Sequence, residues 1–528
     1  MHLNRFSAAA ALFTAVSASS APLSGLEWRL PPCARIDGNL LVVDVSADDP
    51  GRQQEKHAHC EAAVDLSDAL ASTKALVLSV NVRAEGVTQP DRTYNGVKVM
   101  FRYEAEDDGR TCWPGARLPI GTFGWRRAEV NLNELLPYGL PKDGKATLVL
   151  GLQGCTGRAE FDLSTLDVSS VDIGIPRDTA DYVVKYPEGE GPDDPGRPRW
   201  RGAMTPSARN LSEKDVDDIH RWGATLLRFQ INRNWHLLDD NQDLDEYARW
   251  VDSRLDNLED VLGWCAARGM KVCIDLHALP GGKWGERQGE PLEMNMFSDD
   301  RYAAAFVDTW RRIATRFCGH PAVYGYDLVN EPSQTRPLKH NYWALQLEAA
   351  RAVREIDPDT PIVFAANLAS QAGAFRNLVP LPMDNVIYQA HVYLPGEFTH
   401  QGVHRNPRST PENPIAWPGK SSRGDERWDK DWLRKALQPV VDFQKRHKCR
   451  IYVGEFSAAA WAPGAENYLR DAISLFEEYG WDWTYHAFRE SPVWDVEKVG
   501  PRIPEMVPAA EDTPRKKALL DGLNGRIR

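Results

Sequence analysis

Eight successive strand-then-helix units between residues 201 and 523, and a run of short alternating strands before residue 176, predict an α/β fold in two parts. Those parts are a (β/α)8 TIM barrel and, ahead of it, an all-β sandwich. A third observation separates them. Residues 188–198 read Glu-Gly-Glu-Gly-Pro-Asp-Asp-Pro-Gly-Arg-Pro, a polar stretch without periodicity that is expected to act as a linker.

The chain has 528 residues, enough for a barrel and one smaller domain. It begins with a weakly basic start (His2, Arg5), an apolar core from Ala8 to Val16 and small residues from Ser17 to Ala21. That pattern is a cleavable export signal over residues 1–21, and it predicts a secreted or periplasmic protein. No later apolar run is long enough to span a bilayer. The expected divisions are then 26–185 for the sandwich, 186–199 for the linker and 200–528 for the barrel.

In the first part, residues 40–45, 75–82, 97–103, 147–152 and 171–175 alternate as strands, with turn clusters such as Asp107-Asp108-Gly109 between them. In the second part the expected pairs are 201–204 with 213–222, 225–229 with 249–267, 271–276 with 300–317 and 323–328 with 341–355. They continue with 361–365 and a short helix at 370–378, 386–391 with 428–446, 451–453 with 465–479, and 482–487 with 514–523. The long connection from Tyr393 to Trp428 is read as a loop over the face where such insertions carry function.

Net charge is −12 and the pI about 5.6, which exclude nucleic acid and anionic membrane as natural partners and suit a neutral substrate. An apolar content of 42% with a mean hydropathy of −0.48 describes an ordinary globular protein, expected to be a monomer. Cys33, Cys60, Cys112 and Cys155 fall in the first third, and export permits disulfides among them in any of three connectivities. His57-Ala58-His59-Cys60 lacks a second ligand group at zinc-like spacing, so it is read as a surface loop ending in a structural cysteine.

The chemistry concentrates at Tyr326-Asp-Leu-Val-Asn-Glu-Pro332. A residue before proline is pushed toward extended backbone, so Glu331 is expected at the last extended position of a strand. Glu455 closes a second run of the same kind, Ile451-Tyr-Val-Gly-Glu-Phe456. Two glutamates at strand tips suit acid–base and nucleophilic work on a glycosidic bond. Arg228, His277, Asn330, His391 and Tyr393 also follow proposed strands, so all fall on one rim of the barrel.

Arg228 in Leu-Leu-Arg-Phe, His277 in Asp-Leu-His-Ala, Asn330-Glu331-Pro332, His391-Val-Tyr393 and Gly454-Glu455-Phe456 resemble, in order and spacing, glycoside hydrolase family 5. This family includes many cellulases and mannanases. The resemblance covers about residues 201–489 and implies a retaining double displacement on a β-glycan polysaccharide or oligosaccharide. It implies Glu331 as acid/base, Glu455 as nucleophile, Arg228 and Tyr393 as supports of the nucleophile, and Asn330 as partner of the sugar 2-hydroxyl. His277 and His391 would line the cleavage subsite, and no metal or organic cofactor is required. A sandwich ahead of such an enzyme often resembles a carbohydrate-binding module; a spacer without sugar affinity is an equal reading.

One departure stands out: where the family places a platform tryptophan on the last strand, this chain has His486, with Trp483 and Trp481 nearby. The smaller ring predicts a substrate other than plain cellulose, a β-glycan with a substituted or differently configured sugar, which a histidine could hydrogen-bond. Trp235, Trp284, Trp417 and Trp461 in rim loops are further candidates for sugar stacking, Trp461 first among them. A non-catalytic carbohydrate-binding protein on a decayed barrel, and a transglycosylase using the same residues, are the alternative readings.

Overall fold

The computed structural model describes the chain except residues 1–18, 23–25, 47–56, 65–74, 91–94, 106–110, 117, 132–143, 172–180, 208, 234–240, 285–292, 335–337, 404–412, 422–423, 425 and 528. Most of the expected export signal and the expected strand at 171–175 thus lie outside the described residues, apart from Ser19 to Ala21 and Val171. Two compact units are present, one within residues 1–174 and one that is essentially residues 175–528.

The first unit is built from two antiparallel sheets. One orders the strands Ala34–Asp37, Leu40–Val45, Gly157–Val171, Ala75–Val87 and Gly121–Asn131, with Ser19–Pro22 also paired to Gly157–Val171. The other orders His57–Val64, Gly144–Gln153, Gly96–Ala105 and Thr111–Cys112. Alternate residues of both sheets, among them Leu41, Val43, Leu78, Val80, Val99, Phe101, Leu148 and Leu150, share one core. The surface loop expected at residues 57–60 is instead the start of a strand. Ala58, Cys60, Ala62 and Val64 point inward while His59 and Glu61 are only half-buried, so the period of two is present but is written in small residues.

The second unit is the barrel. Its strands are β1 (Arg201–Met204), β2 (Leu226–Gln230), β3 (Lys271–Asp275), β4 (Val323–Asp327), β5 (Ile362–Ala365), β6 (Val386–Val392), β7 (Arg450–Phe456) and β8 (Asp482–Tyr485). They run parallel in chain order, and β8 pairs with β1 to close the ring. The outer helices are α1 (Glu213–Arg221), α2 (Leu244–Ala266), α3 (Asp300–Phe317), α4 (Tyr342–Arg354), α5 (Lys430–His447), α6 (Ala465–Tyr479) and α7 (Pro514–Leu523). A 3-10 turn, Ala372–Asn377, stands in the remaining place. Ser212, Asp243, Asp299, Asn341, Asp429 and Thr513 each accept a backbone N–H at a helix start, so short polar side chains set where most helices begin.

The stretch expected to be a linker is folded in detail against the base of the barrel. Val184 is buried, and the Tyr186 hydroxyl donates to Val386 O and accepts from Arg450 N. Arg197 donates to Asp482 at 2.9 Å, and Asp482 also accepts from Arg450, the Tyr324 hydroxyl and Trp200 N. Asp482 is fully buried, and burial, which raises its carboxyl, is outweighed by the two guanidinium groups that lower it. A chain starting at residue 176 is therefore expected to fold and keep activity on soluble oligosaccharides. One starting at residue 200 loses Arg197 and the 181–198 packing, and its midpoint in urea is expected to drop by the equivalent of about 3–5 kcal/mol. Matching midpoints for the two chains would show that the segment is only a tether.

Candidate active site

Polar side chains replace apolar ones inside the upper barrel, and they are organised around Arg228 near the end of β2. Its guanidinium is fully buried. Nε donates to Asp327 at 2.8 Å, Nη1 to Glu455 at 2.7 Å and Nη2 to Asn330 Oδ1 at 3.0 Å, while Nη2 also lies 3.2 Å from Asp275. One cation thus serves three carboxylates. Burial, with Asp275 adding to it and Arg228 opposing it, pushes the Asp327 carboxyl up to about 7.

Glu455 lies within β7, 5% exposed, and reaches its place through an irregularity in the β6–β7 pairing. Ala390 is opposite Val453, but His391 is opposite Glu455, so Gly454 is the extra residue. A side chain at Gly454 would have to displace the buried, hydrogen-bonded Gln389, because its Cβ would stand 1.9 Å from Gln389 Oε1. The Tyr393 hydroxyl donates to Glu455 Oε2 at 2.9 Å. Burial acts to raise the Glu455 carboxyl; His391, His486 and Arg228 outweigh it and hold it well below the usual carboxylate range. Glu455 is an ionised, oriented carboxylate.

Glu331 is not at the last extended position of its strand. β4 ends at Asp327, and Glu331 adopts left-handed backbone with φ 47°. Proline at 332 excludes the right-handed helical region for residue 331 but not this one, and the turn it makes lifts the carboxyl over the barrel mouth. Glu331 Oε1 lies 2.9 Å from His391 Nδ1. His391 Nε2 faces Gln389 Oε1 at 3.0 Å, and Gln389 Nε2 donates to Asp327 Oδ1 at 2.6 Å. With the amide so oriented, His391 presents an N–H at Nε2, and its Nδ1 faces Glu331. One oxygen of Glu331, one of Glu455 and a ring nitrogen of His391 all lie within 4.8 Å of one another.

The other expected residues gather here as well. Asn330 donates from Nδ2 to His277 Nε2 at 3.1 Å, and His277 Nδ1 donates to Asp275 at 2.8 Å, so the His277 tautomer is fixed. His486, which follows β8, lies 3.8 Å from Glu455 Oε2. Trp461 is half-buried on the loop after β7, and its indole N–H donates to Gln401 O at 2.7 Å. Trp481 and Trp483 are fully buried in the barrel wall and offer no face to a sugar; Trp417 is buried too, donating to Asp471. Trp235 and the side chain of Trp284 lie outside the described residues.

Residues 193–491, 299 of the 528 in the chain, match the cellulase family, glycosyl hydrolase family 5. This chain belongs to glycosyl hydrolase family 5. Its relatives include Endoglucanase C of Acetivibrio thermocellus, 28% identical over 301 residues that cover 52% of this chain and 84% of the relative. Cellodextrinase A of Ruminococcus flavefaciens is 23% identical over 246 residues, 47% of this chain and 68% of the relative. Among solved structures, Cel5A of Thermotoga maritima in complex with cellobiose aligns at 22% identity with a TM-score of 0.45, over 61% of this chain and 97% of that one. The protein is a family 5 glycoside hydrolase with endoglucanase homologues.

Several members of this family 5 site were missed in the sequence: Asp275, Asp327, Gln389, Glu490, His400 and Trp494. The first three carried a signal, a buried polar residue in a strand whose other residues are mostly apolar. Glu490 bonds His486 Nε2 at 2.9 Å, and His400 and Trp494 have ring centroids 4.8 and 6.0 Å from that of Tyr393. Nothing in the spacing marked Glu490 or Trp494.

Proposed function

We propose that the chain is an exported retaining β-glycosidase that cleaves a β-glycan polysaccharide or oligosaccharide by double displacement. Glu455 attacks the anomeric carbon. Glu331 protonates the leaving oxygen and then removes a proton from the incoming water. The observation that carries this reading is the pair itself: Glu331 and Glu455 approach within 4.8 Å, Glu455 held ionised and Glu331 placed 2.9 Å from His391 Nδ1. Retention needs carboxyl groups about 5–5.5 Å apart, whereas inversion needs room for a water between them, about 6.5–9.5 Å.

Arg228 and Tyr393 orient the nucleophile, and Asn330, held by Arg228 and His277, keeps an amide N–H for the sugar 2-hydroxyl. The endoglucanase relatives support a glucan-type substrate. The hydrogen bond once expected from His486 to a sugar is corrected by the geometry: Nδ1 lies 2.6 Å from the Tyr393 hydroxyl and Nε2 2.9 Å from Glu490. What remains of the exchange is a smaller floor, which leaves room for a substituted or differently configured ring.

The test is to incubate the purified protein with β-glucans, mannans, xylans and galactans, and to follow the first product by proton NMR. The expected outcome is hydrolysis of at least one β-glycan with the β-anomer formed first. An initial α-anomer would exclude the retaining assignment; transfer to added sugar in place of hydrolysis would favour a transglycosylase.

A further inference from the structure

The proton positions around His486 follow from hydrogen-bond accounting. Tyr393 has one hydroxyl proton and two neighbours, Glu455 Oε2 at 2.9 Å and His486 Nδ1 at 2.6 Å. The ionised Glu455 can only accept, so the hydroxyl proton goes there and His486 Nδ1 must donate. On the other side, His486 Nε2 meets Glu490 Oε2 at 2.9 Å. Glu490 is 16% exposed in its side chain, and its second oxygen accepts from Gln230 Nε2 at 3.0 Å and from Ser207 N at 3.1 Å. Gln230 is itself fixed by Asn232 and by Thr205 O. Glu490 is therefore set up as a carboxylate, and His486 Nε2 must donate as well.

We propose that Glu490 is a positioning residue for the hydrolytic reaction: it holds His486 as an imidazolium, which through the Tyr393 hydroxyl fixes and stabilises the Glu455 nucleophile. This rests on Glu455 having that role. The need for a second cation is visible in the charge count. Arg228 is divided among Asp275, Asp327 and Glu455, so its charge alone is thinly spread over the buried carboxylates. His486 and Glu490 supply a compensated ion pair at the nucleophile's other oxygen, in the place where a platform ring was expected.

The groups that face His486 agree in sign. Glu455 comes from β7, Glu490 from the loop after β8 and Glu331 from the loop after β4, all carboxyls; Tyr393 comes from just past β6, and the Trp494 ring lies 5.9 Å away between centroids. Arg228 and His391 lie behind Glu455, opposing them at longer range. Burial lowers the His486 imidazolium, but Glu455 and Glu490 together raise it above its ordinary value, and Glu490 is held below its own.

The experiment is a pH titration of the full-length protein labelled with 15N-histidine, read by imidazole NMR, with the His486 signals assigned by their loss in H486N. Both ring nitrogens of His486 are expected to show imidazolium shifts at about pH 7, above the ordinary histidine midpoint near 6.5. In Glu490→Gln, His486 is expected to be neutral at that pH, and its Nδ1 then takes the Tyr393 proton away from Glu455. kcat/KM on an aryl β-glycoside should fall about 10- to 100-fold, mostly in kcat, with the acidic limb of the profile moved to higher pH. Glu490→Asp should recover part of both. A neutral His486 in the wild-type protein, or Glu490→Gln with an unchanged acidic limb, would overturn the proposal. The titration needs no turnover, so a different nucleophile would leave the imidazolium in place and show itself only in the kinetics.

Discussion

Replacing Glu455 with alanine is expected to reduce turnover by about 10⁴- to 10⁶-fold, the scale on which loss of a nucleophile acts. The side chain removed is the one that the barrel does most to prepare: Arg228 Nη1 at 2.7 Å, the Tyr393 hydroxyl at 2.9 Å and a glycine-dependent shift of register all serve it. Azide fits the space left by the carboxylate. On an activated aryl β-glycoside it should restore part of the rate and give the α-glycosyl azide, since attack on the free face inverts the centre once. Glu331→Ala should behave differently. Activated substrates need little protonation of the leaving oxygen, so their first step survives while polysaccharide cleavage is lost, and azide should yield the β-azide from the glycosyl-enzyme. Exchanged azide products between the two variants would reverse the assignments of Glu331 and Glu455.

The barrel was legible because its grammar is redundant. Strands such as Ile362–Ala365 are apolar throughout, helices such as Asp300–Phe317 begin at a capping aspartate, and the alternation repeats often enough to count. Arg228, His277, Asn330, His391, Tyr393 and Glu455 were legible because a parallel barrel puts all strand ends on one rim, so position in the strand gives position in space. The turn at Glu331 was not, because the rule for a residue before proline chooses against one helical region and is silent on the other.

The Gln389 and Glu490 contacts were hidden for a different reason. Each connects residues distant in sequence, Gln389 to Asp327 and Glu490 to Gln230, and only closure of the ring makes them neighbours. The 186–199 segment was read as a linker because proline and glycine content says that a stretch is irregular, not that it is unpacked. Arg197 and Tyr186 show that irregular chain can be as firmly bonded as a helix.

The second large effect is expected at Arg228. Arg228→Met fills similar volume but leaves Asp275, Asp327 and Glu455 in a buried space with no adjacent guanidinium. Breaking one buried pair costs about 3–5 kcal/mol, and here the removed cation serves three partners, so the loss near neutral pH should reach at least that range. Activity should fall with it, because the Glu455 carboxyl rises once the charge is gone. The pH dependence has a definite sign. In the wild-type protein Glu455 is depressed, so its stabilising contribution is present above its unfolded value, about 4.3, and is lost as pH falls through the folded one. In Arg228→Met the Asp327 and Glu455 carboxyls both move upward, Asp327 starting from an already raised value. Asp327 already stands at about 7 with Arg228 present, and without it the group moves further up. A raised carboxyl favours folding below its unfolded value and loses that advantage as pH rises through the folded one. The stability gap between wild type and variant should therefore be small near pH 4.5 and widen steadily to pH 8, as read from urea midpoints at each pH. Arg228→Lys should recover only part of the gap, since a single ammonium cannot fork to Asp327, Asn330 and Glu455 at once. A gap that stays constant across this range would mean that Arg228 stabilises the barrel through packing and not through its charge.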